Sequence, residues 1–176
     1  MARSRYKISK KEDRTYKGVV YASKVEMEYF KEVVEPGLLS GEISKCETQV
    51  HYLLQPAFTY QGKRYQKIDY VADYVLYYPN GEILIVDTKL GKVEQSSILK
   101  RKLMMYKYND VNYVWLTKYS GEWMTYEEAK KREKEDKIKA KEERERKRIE
   151  REKKKKENSS KTKKRVKSTN RNKNTK

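Results

Sequence analysis

Asp73, Asp87 and Lys89 stand out in the stretch YVADYVLYYPNGEILIVDTKLG, which begins at Tyr70. Apart from its Pro-Asn-Gly turn the stretch is rich in Val, Ile, Leu and Tyr, and such strands are depleted in Asp and Lys. Because side chains two positions apart on a strand point to one face, Asp87 and Lys89 share a face. If the two halves pair as a hairpin, Asp73 lies across from Asp87. Two carboxylates and an ammonium would then meet at one end of a sheet.

This combination of charges suits a metal-assisted reaction on phosphate. Two carboxylates repel each other unless a cation neutralises them, and Mg²⁺, or Mn²⁺ in its place, prefers carboxylate and water oxygens as ligands. Such an ion lowers the pKa of a bound water and stabilises charge on a phosphate under attack. Asp73 and Asp87 are therefore candidate metal ligands, and Lys89 is a candidate to handle the water or to neutralise the transition state. A surface ion pair at the end of a sheet is the alternative.

Glu26 is the fourth candidate, both for catalysis and as a metal ligand. The segment SKVEMEYFKEVVEPG from Ser23 has apolar residues at helical spacing and predicts a helix over residues 24–34, which its Pro-Gly pair ends. A helix packed on the sheet could direct Glu26 at the ion or at Lys89. Ser23-x-x-Glu26 is also a capping box, which explains Glu26 without catalysis. Both interpretations stay open.

The remaining segments predict the elements that position these candidates. Residues 46–78 alternate Tyr, Val, Ile and Leu with polar residues and predict strands with a hairpin tip at Gln61-Gly62. The run ILIVDTK suggests a central strand, and VNYVWLT predicts the last one. Between them lies a predicted amphipathic helix with the apolar residues Ile98, Leu99, Leu103, Met104 and Tyr106. This order predicts an α/β fold in which helices flank a mixed central sheet.

The charge distribution separates a globular domain from a basic tail. Residues 127–176 contribute +13 of the net charge of +18, an excess that favours association with phosphate backbones such as those of DNA. The apolar residues concentrate in residues 18–126, which predict one domain. Around it we expect a flexible basic arm over residues 1–17, a charged solvated helix over 127–157 and a disordered basic tail over 158–176.

Several classes of protein are disfavoured by composition. Cys46 is the only cysteine, so neither a disulfide framework nor a cysteine-based zinc cluster is expected. No run approaches the roughly 20 apolar residues of a membrane span, and the basic N-terminus lacks the apolar run of a signal peptide. We expect a reduced, cytoplasmic protein without a membrane segment.

Four short motifs stand in order along the chain, and a basic helix follows them. They are Ser23-Lys24-x-Glu26, Leu54-Gln55-Pro56, Tyr70-x-Ala72-Asp73 and Asp87-x-Lys89. In this order they resemble a small bacteriophage family of formerly unknown function that is grouped with the PD-(D/E)XK, or restriction-endonuclease-like, nuclease superfamily. The resemblance spans roughly residues 16–117 and leaves the tail uncovered. Residue 72 departs from the superfamily pattern, because Ala stands where the superfamily's name has Pro.

The resemblance implies a restriction-endonuclease-like core in αβββαβ order. In such a core Asp73 and Asp87 would bind the metal, Lys89 would handle the water and Glu26 would complete the site. The implied activity is a Mg²⁺-dependent DNA endonuclease that hydrolyses phosphodiester bonds in phage DNA replication, recombination or processing. The host-cell cytoplasm is the expected compartment, and phage or host replication and recombination proteins and a second copy of the chain are candidate partners.

Several further residues are candidates for nucleic-acid contacts. They are Lys24, Gln55, Lys100, Arg101, Lys102 and Lys107. A turn residue is the leading explanation of Gln55, and a solvated helix face explains the four basic residues after position 99 equally well. His51, the sole histidine, suits a structural or half-buried role on a strand, with nuclease base or ligand as the alternative. The alternative function is a DNA- or RNA-binding protein without catalysis, or an adaptor that recruits a partner through the charged helix and tail.

Overall fold

In the computed structural model residues 9–171 are described, with side chains as far as Lys155. Contacts divide the chain into two compact units, Met1–Ala129 and Lys130–Lys176. The described strands all belong to the first unit. In chain order they are β1 (Thr15–Tyr16), β2 (Val19–Val20), β3 (Lys45–Gln55), β4 (Phe58–Tyr60), β5 (Lys63–Tyr65), β6 (Ile68–Tyr77), β7 (Ile83–Thr88), β8 (Asn112–Tyr119) and β9 (Glu122–Thr125). The α-helices are α1 (Lys24–Tyr29), α2 (Glu35–Ser40), α3 (Gln95–Lys107) and α4 (Tyr126–Arg171).

A mixed five-stranded sheet forms the centre of the first unit, with the strand order β3-β6-β7-β8-β9. The strands β6 and β7 pair antiparallel, as the hairpin pattern predicts, whereas β7 and β8 are parallel and α3 connects them. A parallel pair needs such a crossover, because its strands begin at the same edge. The predicted mixed α/β architecture is confirmed. Strand β9, which follows a turn at Ser120-Gly121 with positive φ at both residues, was not predicted.

The sheet buries both of its faces, which explains the apolar run of β7. Val86 belongs to a cluster with Tyr29 and Val34 of the first helical segment, whereas its neighbour Ile85 belongs to a cluster with Met104 of α3. Adjacent residues on a strand point to opposite faces. The two clusters therefore lie on the two faces of the sheet, and β7 is the buried central strand that the sequence suggested.

The first helical segment does not end at Pro36 and Gly37, so the predicted boundary at residue 34 is wrong. A π-helical turn over Phe30–Val34 joins α1 to α2, which continues to Ser40 and ends at Gly41 in the left-handed conformation. Proline is tolerated in the first turn of a helix, where its missing N–H has no intrahelical partner. The wide turn before α2 therefore accommodates Pro36.

Helix α3 forms over the predicted segment, although its apolar residues divide differently. Met104 is fully buried, whereas Leu99 is 59% exposed and Tyr106 is 85% exposed. The prediction that both face the core is wrong for these two residues. Polar contacts also hold α3 against the sheet. Lys107 Nζ, for example, donates a hydrogen bond to the carbonyl of Leu53 on β3 at 2.7 Å.

Two short two-stranded ribbons form in addition to the five-stranded sheet. β4 and β5 pair as a hairpin around Gln61-Gly62, as predicted. Part of the segment expected to be a flexible arm is built into the first unit, because β1 pairs with β2 and the Tyr16 hydroxyl donates to Glu35. Residues 1–8 of that predicted arm lie outside the described residues.

Helix α4 is a single run of backbone from Tyr126 to Arg171. Thr125 caps it by accepting the Glu128 N–H at 3.2 Å, and along its charged length pairs such as Lys137 and Glu133 lie one turn apart. The helix thus extends into the segment that the sequence assigned to a disordered tail, of which residues 172–176 lie outside the described part. Within the described residues, no helix has the length and apolar content needed to cross a membrane.

Candidate functional site

The strands β6 and β7 separate where the candidate carboxylates lie. Their ladder ends with the pair Tyr74 and Val86, and the next positions along the two strands are Asp73 and Asp87. Beyond this point β6 stays paired with β3, and β7 stays paired with β8. The separation leaves the Thr88 N–H without a backbone partner on that side. The Oδ2 atom of Asp73 accepts this N–H and the Thr88 hydroxyl, each at 2.7 Å.

Asp87 is buried, and a cluster of aromatic side chains fixes one of its oxygens. The Tyr70 hydroxyl donates to Oδ2 of Asp87 and accepts hydrogen bonds from Trp115 Nε1 at 2.8 Å and from the Tyr113 hydroxyl. Among the described residues, the Oδ1 atom of Asp87 has no hydrogen-bond partner. The carboxylate therefore has one oxygen held by Tyr70 and Lys89 and one without a hydrogen bond from the described residues.

Lys89 lies beside Asp87, as the strand spacing predicts. Its Nζ is 2.5 Å from Oδ2 of Asp87 and 5.1 Å from the centroid of the Trp115 ring. The Lys89 side chain is 21% exposed, whereas that of Asp87 is 4% exposed. The ammonium consequently stands between the buried carboxylate and the solvent.

Glu26 reaches the same place through Gln49. Gln49 Nε2 donates to Glu26 Oε1 at 2.9 Å and approaches Asp73 Oδ1 at 3.4 Å. The Ala22 N–H donates to the other oxygen of Glu26 at 3.0 Å, and the Glu26 N–H donates to Ser23 Oγ, which is the helix-cap contact that the sequence predicts. The capping interpretation of Glu26 is confirmed, and Glu26 also joins the hydrogen-bonded group around Asp73, whereas its role in catalysis stays a prediction.

Burial and mutual repulsion shift the acidity of these carboxyls. Burial raises the pKa of Asp87 to about 6, the Lys89 ammonium opposes this rise, and the charge of Asp73 adds to it. Burial also raises the pKa of Glu26, and the charge of Asp73 raises it further. The charge of Asp73 therefore raises the pKa of both other carboxyls, so the three acidic groups are close enough to interact electrostatically.

The donor set fits a hard divalent cation held by few protein ligands. The described residues contain no group of three His, Cys, Asp or Glu side chains arranged to hold a metal ion. They do contain the neighbouring pair Asp73 and Asp87, whose charges interact. Mg²⁺ is commonly bound by one or two carboxylates and keeps several waters or substrate oxygens. Asp73 and Asp87 are the residues that could hold an ion in that mode, and Glu26 lies one hydrogen-bonded residue further away.

A cavity opens next to the carboxylates on the side of Glu26. It has a volume of about 540 Å³, and its lining includes Glu26, Gln49, Phe30, Tyr21 and the guanidinium of Arg14. The Nε of Arg14 is buried without a partner among the described residues. The cavity thus combines an aromatic wall with one basic group beside the acidic cluster.

The basic residues of α3 are mostly held by the protein itself. Lys100 Nζ donates to the Asp69 carbonyl at 3.0 Å, and Lys107 binds the Leu53 carbonyl. Arg101 pairs with Glu127 and stacks over the Trp115 ring at 4.4 Å from its centroid. Lys102 is exposed. Of the four candidates for phosphate contact on this helix, three therefore serve to anchor α3 in this conformation.

The other candidate residues lie on α1 and β3. Lys24 begins α1 with 55% of its side chain exposed and its Nζ 3.6 Å from Glu28. Gln55 ends β3 opposite Ile68 and is half-buried. His51 is exposed on β3, with its ring 3.6 Å from Asp69, so the expected half-buried place is wrong.

Sequence reasoning missed the residues that connect the four candidates. Gln49 joins Glu26 to Asp73, and Tyr70 holds Asp87. The sequence did draw attention to Tyr70, because it belongs to the motif Tyr70-x-Ala72-Asp73. Nothing in the sequence marked Gln49 as a site residue, because its position depends on a left-handed backbone with φ of 54° inside β3.

Comparison with known proteins identifies a family without naming an activity. No curated protein matches the chain. A family described as "Protein of unknown function (DUF1064)" matches residues 3–122, a span that contains all four candidate site residues and ends at the start of β9. Because this match covers more than half of the chain, the protein belongs to the DUF1064 family.

Proposed function

We propose that this protein is a metal-dependent DNA endonuclease with a restriction-endonuclease-like core. The observation that carries the proposal is the separation of β6 and β7, where Asp73 accepts the Thr88 N–H and thereby lies beside Asp87 and Lys89. Two carboxylates and an ammonium where two central strands separate suit hydrolysis of a phosphodiester bond. The succession of one helix, three sheet strands, a helix and a strand supports the core.

In this proposal Asp73 and Asp87 hold a divalent cation, Mg²⁺ or Mn²⁺. When bound, the ion supplies an acidified water and neutralises negative charge on the phosphate. The Oδ1 of Asp87 suits the role of ligand, since the other oxygen is committed to Tyr70 and Lys89. The aromatic cluster keeps the carboxylate in place while ligands exchange on Oδ1.

In this proposal Lys89 interacts with the attacking water or with the phosphate. Its ammonium lies between Asp87 and solvent, where it can donate to the attacking water or to a phosphate oxygen. A fixed positive group near developing negative charge is worth most where water is scarce. The Trp115 ring beneath the ammonium restricts its motion.

Glu26 supports the site through Gln49. Both of its oxygens already accept hydrogen bonds and only 3% of the residue is exposed, so its first role is to hold the amide that contacts Asp73. The cavity lined by Glu26, Phe30 and Arg14 offers room for a nucleotide next to the phosphate under attack. Arg14 would meet the negative charge of that nucleotide.

Plasmid nicking tests the proposal. Wild-type protein should nick supercoiled DNA with Mg²⁺ and fail to do so with EDTA. Asp73→Asn and Asp87→Asn should abolish metal-dependent cleavage, and Lys89→Ala should slow it by about 10²–10³-fold. Cleavage that both Asp87→Asn and Lys89→Ala retain would remove the proposed site.

Matched controls come from the opposite end of the sheet. Asp110 is exposed before β8, and Lys45 pairs with Glu47 at the far end of β3. Asp110→Asn and Lys45→Ala change charge by the same amounts as the site variants and should leave cleavage within about twofold. A fall as large as that of the site variants would mean that net charge, and not the site, controls the reaction.

The second candidate function is nucleic-acid binding or partner recruitment without catalysis. It is favoured by the +13 charge of residues 127–176 and by the division of the chain near Ala129. Tight DNA binding with no cleavage of plasmid, branched, duplex or single-stranded DNA in Mg²⁺ or Mn²⁺ would support this candidate over the nuclease.

A further inference from the structure

The β4–β5 hairpin presents an aromatic face to solvent. Its register pairs Phe58 with Tyr65 and Tyr60 with Lys63, so these four side chains share one face of the ribbon. The rings of Phe58 and Tyr65 stack with centroids 5.0 Å apart and planes 10° from parallel. Phe58 is 44% exposed, Tyr60 59% and Tyr65 38%. Every residue from 56 to 67 is exposed, so no part of this ribbon belongs to the core.

The conformation of the ribbon is well defined by its turn. Gln61 and Gly62 both have positive φ, 48° and 75°, which is the two-residue turn that matches the twist of paired strands. An isolated two-stranded ribbon gains little from exposing three aromatic rings, since apolar area in water is unfavourable. Grouped exposed aromatic side chains of this kind are typical of a binding surface.

All the charged residues of the ribbon are basic. Lys63, Arg64 and Lys67 lie within it or just beyond it, and no acidic residue occurs between Glu47 and Asp69. Lys67 pairs with Asp69 at 2.6 Å, whereas Lys63 stands 5.4 Å from the centroid of the Tyr65 ring. Aromatic faces beside Lys and Arg are complementary to bases joined by phosphates.

The ribbon lies at the same end of the sheet as the carboxylates. It connects the end of β3 to the start of β6, and β7 runs antiparallel to β6 so that its own end, with Asp87, is at this side. Asp73 is five positions beyond Ile68, which is roughly 17 Å along a strand. A nucleic acid bound at the carboxylates could therefore reach the ribbon without leaving the first unit.

We propose that the aromatic face of Phe58, Tyr60 and Tyr65, with Lys63 on the same face, binds unpaired bases of a DNA strand. Bases within a duplex are already stacked on their neighbours, so only unpaired ones offer a free face to the rings. This inference extends the proposed nuclease and rests on it in one respect, because it identifies the substrate as DNA with a single-stranded part near the scissile phosphate.

Fluorescence anisotropy in EDTA tests the proposal with labelled single-stranded DNA and a duplex of the same sequence. Tyr60→Ala should weaken single-strand binding by between about fivefold and about a hundredfold and change duplex binding by less than about twofold. Tyr60→Phe, which keeps the ring, should bind like wild type. Lys63→Gln should lower the slope of log affinity against log salt by about 0.7 on the single strand.

Leu39→Ala is the matched control, since Leu39 is 83% exposed on α2 and should not affect binding. Equal thermal unfolding midpoints of wild type and Tyr60→Ala would show that the first unit is intact. Unchanged single-strand binding by Tyr60→Ala, or an equal loss on both DNA forms, would overturn the proposal. Because these measurements need no cleavage, a wild type that binds but does not cut would refute the nuclease alone.

Discussion

Asp87 is deeply buried, and this burial determines how its charge affects stability. Burial raises its pKa in the folded protein to about 6, well above the value of an unfolded chain. The folded state therefore binds the proton more tightly than the unfolded state does. From this sign, stability contributed by the protonated carboxyl is present below about pH 4 and is lost as pH rises to about 6.

Asp87→Asn should remove this pH dependence. The side chain of the variant is neutral at every pH, so the free energy of unfolding of wild type minus that of the variant should fall between pH 4 and pH 6. The expected fall is on the order of 2 to 3 kcal/mol. Urea unfolding in EDTA across this range measures it, and parallel curves for the two proteins would contradict it.

Gln49 carries a backbone conformation that its side chain does not favour. Its φ of 54° lies in the left-handed region, which costs a residue with a Cβ atom roughly 1 to 2 kcal/mol. Strain of this kind persists where surrounding contacts impose it, and it concentrates at functional sites. The amide held between Glu26 and Asp73 is such a contact.

Substitutions at Gln49 should invert the usual order of Ala and Gly in a strand. Gln49→Ala and Gln49→Gly both remove the amide, but Gly accepts the positive φ. Gln49→Gly should therefore be more stable than Gln49→Ala by about 1 kcal/mol. Chemical denaturation checks the order, with the same pair of substitutions at Val50, where β3 has regular pairing, as the control.

At the scale of elements, the close approach of α2 to the loop before β3 limits what the chain accepts. A Cβ atom on Gly37 would lie 2.6 Å from Cδ1 of Ile43. Gly37→Ala should therefore destabilise the protein by about 1 to 2 kcal/mol despite the higher helix propensity of Ala. In an Ile43→Ala background the same change should be neutral or stabilising. Equal effects in both backgrounds would show that the steric contact is not the cause.

Elements were predictable where one local signal dominated. Alternation and a Gln-Gly turn gave the strands and the β4–β5 hairpin, and the spacing of Asp87 and Lys89 on one strand gave their contact. The continuation of α2 through Pro36 was not predictable, because it depends on a π-helical turn that tertiary packing decides. The contact of Asp73 with Thr88 likewise depends on where two strands part, and no periodicity encodes that point.

At the scale of the molecule, the two units differ in what they contribute. The sequence placed the end of the domain at residue 126, but Glu127 pairs with Arg101 and Ala129 is 5% exposed, so the first unit includes the start of α4. Composition alone could not show this, since those residues resemble the rest of the charged helix. A boundary for truncation therefore belongs after these contacts.

Truncation after Glu133 should separate binding from folding. It removes a net charge of +13 and, among the described side chains, no residue of the core. The thermal unfolding midpoint should change by no more than about 3 °C. The salt dependence of DNA affinity should become shallower, by about 0.9 in slope for each phosphate that the shortened protein no longer neutralises. An unchanged slope would mean that the tail does not bind DNA.

The position of Trp115 gives the protein an intrinsic optical reporter. The Lys89 ammonium and the Arg101 guanidinium both lie over its indole ring, 5.1 Å and 4.4 Å from the centroid. Indole emission responds to nearby charge, so any ion or phosphate that draws Lys89 off the ring should shift the fluorescence. The second tryptophan, Trp123, packs against Tyr29 and donates to Glu32. A Trp123→Phe protein would therefore report occupancy of the carboxylate site through a single tryptophan, without any attached label.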